Sequence, residues 1–431
     1  NNHIEGTRHC IFSTDGDLLI LCMSIHISGM YLMMDINNKN KMQVCLMDAT
    51  GTTAHLAEEF GVDISKSSEE EIYRCIDDFT ILSFLVGNDF FPKIKCLGKL
   101  ARYLNDVVNT YTESIKRSTT RSSNVGRSTD TNTLSFRTKR TDNNIRPWKS
   151  HINIHGIYMF LYEYAKKEVD SIVNLSNRPS HENIDSKTGK DLTDYSTKHF
   201  LSIKNGKTVF DVSGYRKFYY FKAFNPDRYN DCMIYLGLED IKDDEIIKDT
   251  KMKILKTEIE STDVDIRSSV RLLDMCKNYI EMMVVIFYYY TDTIVSWNEM
   301  YRYHYPPMIT DLVSYLELQE LARPRLLYEL GAPTDPFVQL ICILSPKQRY
   351  LLPKYFANAM AKDSPLVKNG MIVDTFSIDY HGAEHEYKAI ALVPFVDRSL
   401  VDSVYKEMVR YADGIENVYR LYPRNRNNYK N

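Results

Sequence analysis

The sequence predicts an α/β body continued by a large, mostly helical extension. Two patterns in the first hundred residues and one beyond them carry this reading. Apolar runs of strand length stand at Cys10 to Phe12, Tyr31 to Asp35 and Met42 to Met47. Residues 67–86 instead place Ile72, Cys75, Ile76, Phe79, Leu82, Phe84 and Val86 at helical spacing. After residue 150 the helical period takes over, in HINIHGIYMFLYEYAKKEV at 151–169 and again along Val270 to Tyr290.

Taken in order, the first strand ends in Asp15-Gly16-Asp17 and leads into a second apolar run, Leu18 to Met23. Ser67 or Ser68 followed by Glu69 to Glu71 is an N-terminal cap with acids in the first turn of the next helix. That helix stops at Gly87-Asn88-Asp89, where glycine ends helices and a carboxylate is presented at the end. The α/β body is expected to span 1–110.

Residues 111–150 change character. Nine Lys and Arg face two acids between Lys116 and Lys149, among Ser, Thr and Asn, which predicts a flexible basic insert, either a solvated linker or an arm that touches RNA. A mainly helical region is expected over 151–330, with a polar surface insertion near 174–207 and an exposed, charge-rich stretch at Lys242 to Glu260. The tail, 413–431, is rich in Asn, Arg and Tyr.

Composition excludes several classes. With 44% hydrophobic and 26% charged residues the chain can bury a core, and its longest apolar run, Met282 to Tyr290, is far short of the roughly 18 to 20 residues that cross a bilayer. A formal net charge of -3 makes any phosphate-binding surface local. The 8 cysteines form no CxxC pair and no Cys/His cluster at zinc spacing, so free thiols in a reducing compartment are expected. Residues 1–10 have neither the charge nor the apolar core of a signal peptide.

Asp15 and Asp17, two residues apart in a strand-end turn, can converge on Mg²⁺, which takes hard oxygen ligands and shares its shell with water and phosphate. Asp89 adds a third carboxylate in the same body, and clustered carboxylates stay ionised only beside counter-cations. A two-metal phosphodiesterase site is the expectation these three residues raise. An ordinary surface turn and an ordinary helix C-cap are the plain alternatives.

At these residues the sequence resembles a known family. RHCI at Arg8 to Ile11 with TDGDLL at Thr14 to Leu19, and IDDFTILSFLVGNDFFP at Ile76 to Pro92, are similar to the RHCIYGLDADLI and IDDWVLLxFLVGNDFxP segments of XRN 5′-to-3′ exoribonucleases. MCKNYIEMM, FYYY and SWNEMYRYHY within Arg271 to Tyr305, PFVQLICILSPKQRYLLPKYFANAMAKD at 336–363 and AIALVPFV at 389–396 resemble later blocks of that family, in the same order.

The resemblance implies the C-terminal part of a PIN/FEN-like nuclease core with its helical extension, and a second family-like block, 331–412, packed on it. It implies hydrolysis of single-stranded RNA bearing a 5′ monophosphate to mononucleotides by two-metal-ion catalysis, with Asp15, Asp17 and Asp89 as catalytic metal ligands for Mg²⁺, Mn²⁺ being the alternative ion. Trp297 and His304 fall in the block that lines the family's RNA path, where an aromatic stacks on a base. Glu299 stands where the family's second tryptophan would be, so Trp297 reads equally as a buried structural residue. The family's GEGEHKI carboxylates and its 5′-phosphate pocket have no counterpart here. The expected partner is therefore an upstream part of the same nuclease body, and the isolated chain is expected to be inactive. No membrane partner is expected, and the compartment expected is the cytoplasm, the nucleus staying open. Two other readings remain, a flap-endonuclease-like DNA nuclease and a catalytically dead RNA-binding remnant. The first requires a Gly-rich hairpin after Asp89, where FFPKIKCLGKLARYL holds one glycine.

Overall fold

The computed structural model describes residues 6–38, 41–97, 100–123, 152–177, 183–241, 245–319 and 328–412. It divides into two compact units, residues 1–330 with 380–388, and residues 331–379 with 389–431. The chain is mostly helical with few strands.

The first unit opens with a strand-helix-strand unit. β1 (His9–Phe12) pairs in parallel with β2 (Met30–Asn38), and α1 (Asp17–Ser24) is the crossover. The apolar run at Leu18 to Met23 is thus helical, because a parallel pair cannot be joined by a tight hairpin. β2 then pairs antiparallel with β3 (Lys41–Asp48). Alternation sets the two sheet faces. Leu32, aligned between Ile11 and Met47, is fully buried, and Ile11 packs with Met23, Met30, Ala49 and Ile76 under the helices. Phe12, Met33, Leu46 and Val44 line the opposite face.

α2 (Ala49–Glu59) starts at Asp48, whose side chain accepts from Thr50 N. α3 (Glu69–Phe84) has the reciprocal cap its sequence predicts: Ser68 accepts from Glu71 N, and the Glu71 carboxylate accepts from Ser68 N. Residues 111–123, expected in a flexible insert, instead continue α4 (Leu100–Ser123). The physical reason is Tyr111, which is fully buried against Phe60 and donates its hydroxyl to the buried Asp78 of α3. The rest of the basic segment, 124–150, lies outside the described residues, as does the tail 413–431.

α5 (Ile154–Ala165) and α6 (Glu168–Ser176) realise the helical period after residue 150. The stretch expected as a polar surface insertion is more closely built in than that. It carries α7 (Tyr195–His199) and a hairpin of β4 (Leu201–Lys204) and β5 (Lys207–Phe210), and Asp185, Asp194, Ser196 and Thr197 are buried. The side chains of Asp185, Asp194 and Thr197 are hydrogen-bonded, as when Asp194 accepts from Thr197 N and Thr197 Oγ1, which is how a polar sequence can fold inward. α8 (Val212–Phe224), α9 (Tyr229–Tyr235) and α10 (Glu245–Glu260) follow. α11 (Val270–Thr291) is buried along most of its length, and Met275, Tyr279, Ile286 and Phe287 make it core. α12 (Ile309–Leu318) begins where the buried Glu168 carboxylate accepts from Ile309 N and Thr310 N.

The second unit has its own core, in which Val338, Ile341, Phe356, Leu366, Val401 and Val404 pack together. They come chiefly from α13 (Pro336–Ile343), α14 (Lys354–Ala357), α15 (Pro365–Lys368) and α16 (Arg398–Ala412). β6 (Ile378–Asp379) and β7 (Ile390–Ala391) form a short antiparallel pair. Among the described residues no helix is long and apolar enough to cross a membrane.

Candidate active site

The site is built at the C-terminal end of β1. Beyond Phe12 the strand is held one residue further by Ser13 N to Met33 O, and the chain then turns. Asp15 N donates to Ser13 Oγ at 3.1 Å, and Asp17 N donates to Asp15 Oδ1 at 3.0 Å. The Asp15 carboxylate thereby occupies the positive N-terminal end of α1, whose first residue is Asp17. In open sheets with parallel strands this end, outside the strand C-termini, is where ligands bind.

The third carboxylate arrives from the end of α3. Gly87 has φ of 86°, and a Cβ there would lie 2.7 Å from Lys93 N, so only glycine fits both the dihedral and the close approach. Asn88 Oδ1 accepts from Phe90 N and Phe91 N at 2.9 and 3.3 Å, and Ile94 N returns to Leu85 O at 3.0 Å. These bonds pin a tight loop that leaves Asp89 exposed at its tip. Within Gly-Asn-Asp, glycine thus makes the turn, asparagine braces it and aspartate supplies the carboxylate.

The electrostatics join the two segments. Burial raises the Asp17 carboxyl above its ordinary range, Asp15 and Asp89 raise it further, and a hydrogen bond from Tyr290 opposes them. Tyr290 Oη donates to Asp17 Oδ2 at 3.5 Å from the last turn of α11. Burial, then Asp17 and Asp89, push the Tyr290 hydroxyl well above the usual phenol range. Its ring meets Phe84 at 5.1 Å, and Tyr289 meets Phe90 at 5.3 Å, so the end of α11 is fastened to both sides of the Asp89 loop.

Tyr290 is the neighbour of these carboxylates that sequence reasoning missed. FYYY reads as core, and the available signal was three consecutive tyrosines at a helix end, more hydroxyls than a dry core can satisfy. Asp77 and Asp78, one helical turn or more before Phe84, face inward instead of joining the cluster. Asp77 Oδ1 lies 2.9 Å from His26 Nε2, and Asp78 receives the Tyr111 hydroxyl.

Trp297 and His304 occupy the loop after α11. Trp297 is 39% exposed, so it is not the buried structural residue of the alternative reading, and its backbone N donates to Leu330 O. The segment carrying His304 is tied to Asn278, through Asn278 Nδ2 to Met300 O and Arg302 N to Asn278 Oδ1. Asn278 precedes Tyr290 by about 18 Å of helix at 1.5 Å per residue, so this anchor lies along α11 away from the carboxylates.

The oxygen donors have the chemistry Mg²⁺ requires. Their spacing falls short of a closed set: among the described residues no group of three or more His, Cys, Asp or Glu side chains is arranged to hold a metal ion. Asp17 lies within reach of the charges of Asp15 and Asp89, without the three meeting at one point. All 8 cysteines are free.

The family model for the Xrn1 helical domain matches residues 69–152 and 255–415. The human 5'-3' exoribonuclease 1 is 24% identical over 415 residues, which is 92% of this chain and 22% of that protein. The 5'-3' exoribonuclease 1 of Saccharomyces cerevisiae is 21% identical over 514 residues, 99% of this chain and 32% of that one. The 5'-3' exoribonuclease 2 of the same yeast is 35% identical over 128 residues, 29% of this chain and 12% of that one. The chain thus spans at most about a third of the length of these relatives.

Proposed function

Since the chain belongs to the XRN family, whose helical-domain model matches more than half of it, we propose that it forms part of a 5′-to-3′ exoribonuclease acting on single-stranded RNA with a 5′ monophosphate. One observation carries the reading most: at the C-terminal end of a parallel strand, the charges of Asp15 and Asp89 converge on Asp17. Repulsion of this kind is a standing cost to the fold, and a divalent cation relieves it.

In this reading Asp15, Asp17 and Asp89 hold Mg²⁺, or Mn²⁺, together with further oxygen donors. Such ions, when bound, would supply an activated water and charge neutralisation at the scissile phosphate. The chain's own part is positioning. The Asp17 amide fixes one oxygen of Asp15, Tyr290 restrains Asp17, and the Gly87–Lys93 loop holds Asp89 out towards solvent.

The missing donors are assigned to another segment of the same nuclease body, a PIN/FEN-like core of which the β1-α1-β2 unit is one piece. Two features support a neighbour there. β1 has no strand on its outer edge among the described residues. The sheet face bearing Phe12, Val44 and Leu46 is apolar and exposed, a surface that a further segment could cover. Trp297 remains a candidate base-stacking residue because it is accessible, and stacking tolerates any RNA sequence.

The test is Mg²⁺-dependent release of mononucleotides from a 5′-phosphorylated oligoribonucleotide by the complete reading frame that carries this chain. Asp17→Ala is expected to lower the rate by at least about 100-fold, since even partners that only orient metal ligands cost about 10–100-fold. An unaltered rate would leave the carboxylate cluster without a catalytic part.

A further inference from the structure

The loop that presents Asp89 is held from outside its own neighbourhood. Residues 380–388 are compact with the first unit, although the chain on both sides of them, 331–379 and 389–431, belongs to the second. They form a strap across the first unit, and its seat is specific. Gly382 N donates to Leu192 O at 2.9 Å, and Glu386 N donates to Asp185 Oδ2 at 3.0 Å. His381 Nδ1 lies 3.2 Å from Thr193 O, and the Lys190 ammonium stands 4.2 Å over the Tyr380 ring. Asp185 also accepts from Lys187 N and Thr188 N, and the Glu386 amide first among these donors holds its carboxyl down at about 2.

From this seat the strap reaches the root of the Asp89 loop. Lys93 donates to Glu384, which also accepts from Lys388 at 3.0 Å, and the Glu384 side chain is only 10% exposed. Burial alone would raise the Glu384 carboxyl, yet the two lysines hold it below the ordinary range, so it is an anion at neutral pH. Lys93 is the residue whose backbone closes on Gly87, and two residues on, Lys95 donates to Asp194 at 3.2 Å. A Cβ on Gly382 would in turn touch Asp194. Lys93, which ends the loop, and Lys95, just beyond it, are therefore gripped by the strap or by its seat.

We propose that Glu384 is a positioning residue for the carboxylate cluster: by holding Lys93 it fixes the C-terminal root of the Gly87–Lys93 loop and so the placement of Asp89. This rests on the exoribonuclease reading for its catalytic consequence, but the mechanical part stands on the loop alone.

Two measurements test it, on Glu384→Gln and Glu384→Asp. The first is amide hydrogen exchange in this chain. Glu384→Gln is expected to speed exchange at residues 88–94 by about tenfold, while α3 and α11 keep their rates and Glu384→Asp restores the loop. Unchanged exchange at 88–94, or equal acceleration everywhere, would overturn the proposal. The second is RNA hydrolysis by the complete reading frame as a function of Mg²⁺. A loosened Asp89 should raise the Mg²⁺ concentration for half-maximal rate by about tenfold, with KM for RNA unchanged. A normal Mg²⁺ requirement in a protein that Asp89→Ala inactivates would overturn the catalytic consequence alone. Full activity in Asp89→Ala would instead remove the functional reading and leave the loop claim to the exchange result.

Discussion

Replacing Gly87 by alanine separates two costs that most glycine substitutions mix. At φ of 86° an L-residue is strained, by about 1–2 kcal/mol, while the stiffer unfolded chain returns about 0.4–1 kcal/mol. Gly61 has nearly the same dihedral, 85°, and open space where its Cβ would sit, so Gly61→Ala isolates this net cost at about 1 kcal/mol, within a range of about 0 to 1.6 kcal/mol. At Gly87 the added Cβ would lie 2.7 Å from Lys93 N, 2.9 Å from Lys93 Cβ and 3.0 Å from Lys93 Cα. Two of these atoms are backbone, so no rotamer relieves the overlap. Separating the segments strains the hydrogen bonds Ile94 N to Leu85 O and Asn88 N to Phe91 O, each worth about 1 kcal/mol. Overpacking of this kind adds about 2–3 kcal/mol, for a total near 3 kcal/mol. Urea unfolding of the two variants, followed by intrinsic fluorescence, reads the difference directly. Equal losses in Gly61→Ala and Gly87→Ala would refute the claim that close approach, and not the dihedral, dictates this glycine.

Three further outcomes are expected. Asp17 has a raised carboxyl pKa in the folded state, so its ionisation opposes folding as pH rises above the ordinary carboxylate range. Asp17→Asn should therefore be more stable than the parent at pH 7 in low salt without divalent ions and no more stable at pH 3; a less stable variant at pH 7 would show that the cluster is not repulsive. Burial pushes the Glu168 carboxyl up to about 7, against its hydrogen bonds from Thr310 and Ile309, so the folded state keeps this proton longer than the unfolded one. Stability from this group falls as pH rises from about 4.5 to about 7, by at most about 3 kcal/mol, and denaturation midpoints of Glu168→Gln across that window should lack the slope. Ser68→Ala removes one half of the α3 capping box and should cost about 1 kcal/mol by the same unfolding assay, no loss meaning that the cap is idle.

Much of the site could be read in the sequence because its parts are local. A carboxylate pair after a strand and a Gly-Asn-Asp at a helix end each declare themselves within a few residues. The Ser68 cap and the long buried α11 were legible for the same reason. What the sequence hid depends on partners far along the chain. Tyr290 reaches Asp17 across 273 positions, and Glu384 reaches Lys93 across 291, with no periodicity to mark either. The same holds for the polar run after residue 182: Asp185 and Asp194 read as surface residues because a one-dimensional pattern cannot show the backbone donors that satisfy them when buried. Leu18 to Met23 was ambiguous in principle, since a short apolar run fits a strand or a buried helix until the neighbouring pairing decides. Residues 111–123 looked like linker from composition, and one tyrosine seated on a buried aspartate outweighs that composition.

The most direct measurement is exonucleolysis by the complete reading frame on matched 5′-monophosphate and 5′-hydroxyl RNAs in Mg²⁺, with Asp15→Ala and Asp89→Ala alongside. The expected result is preference for the 5′-monophosphate and loss of that activity in both variants. Cleavage indifferent to the 5′ group and to both substitutions would contradict a metal-dependent site at Asp15, Asp17 and Asp89, and would favour the reading of the chain as a catalytically dead, RNA-binding member of the family.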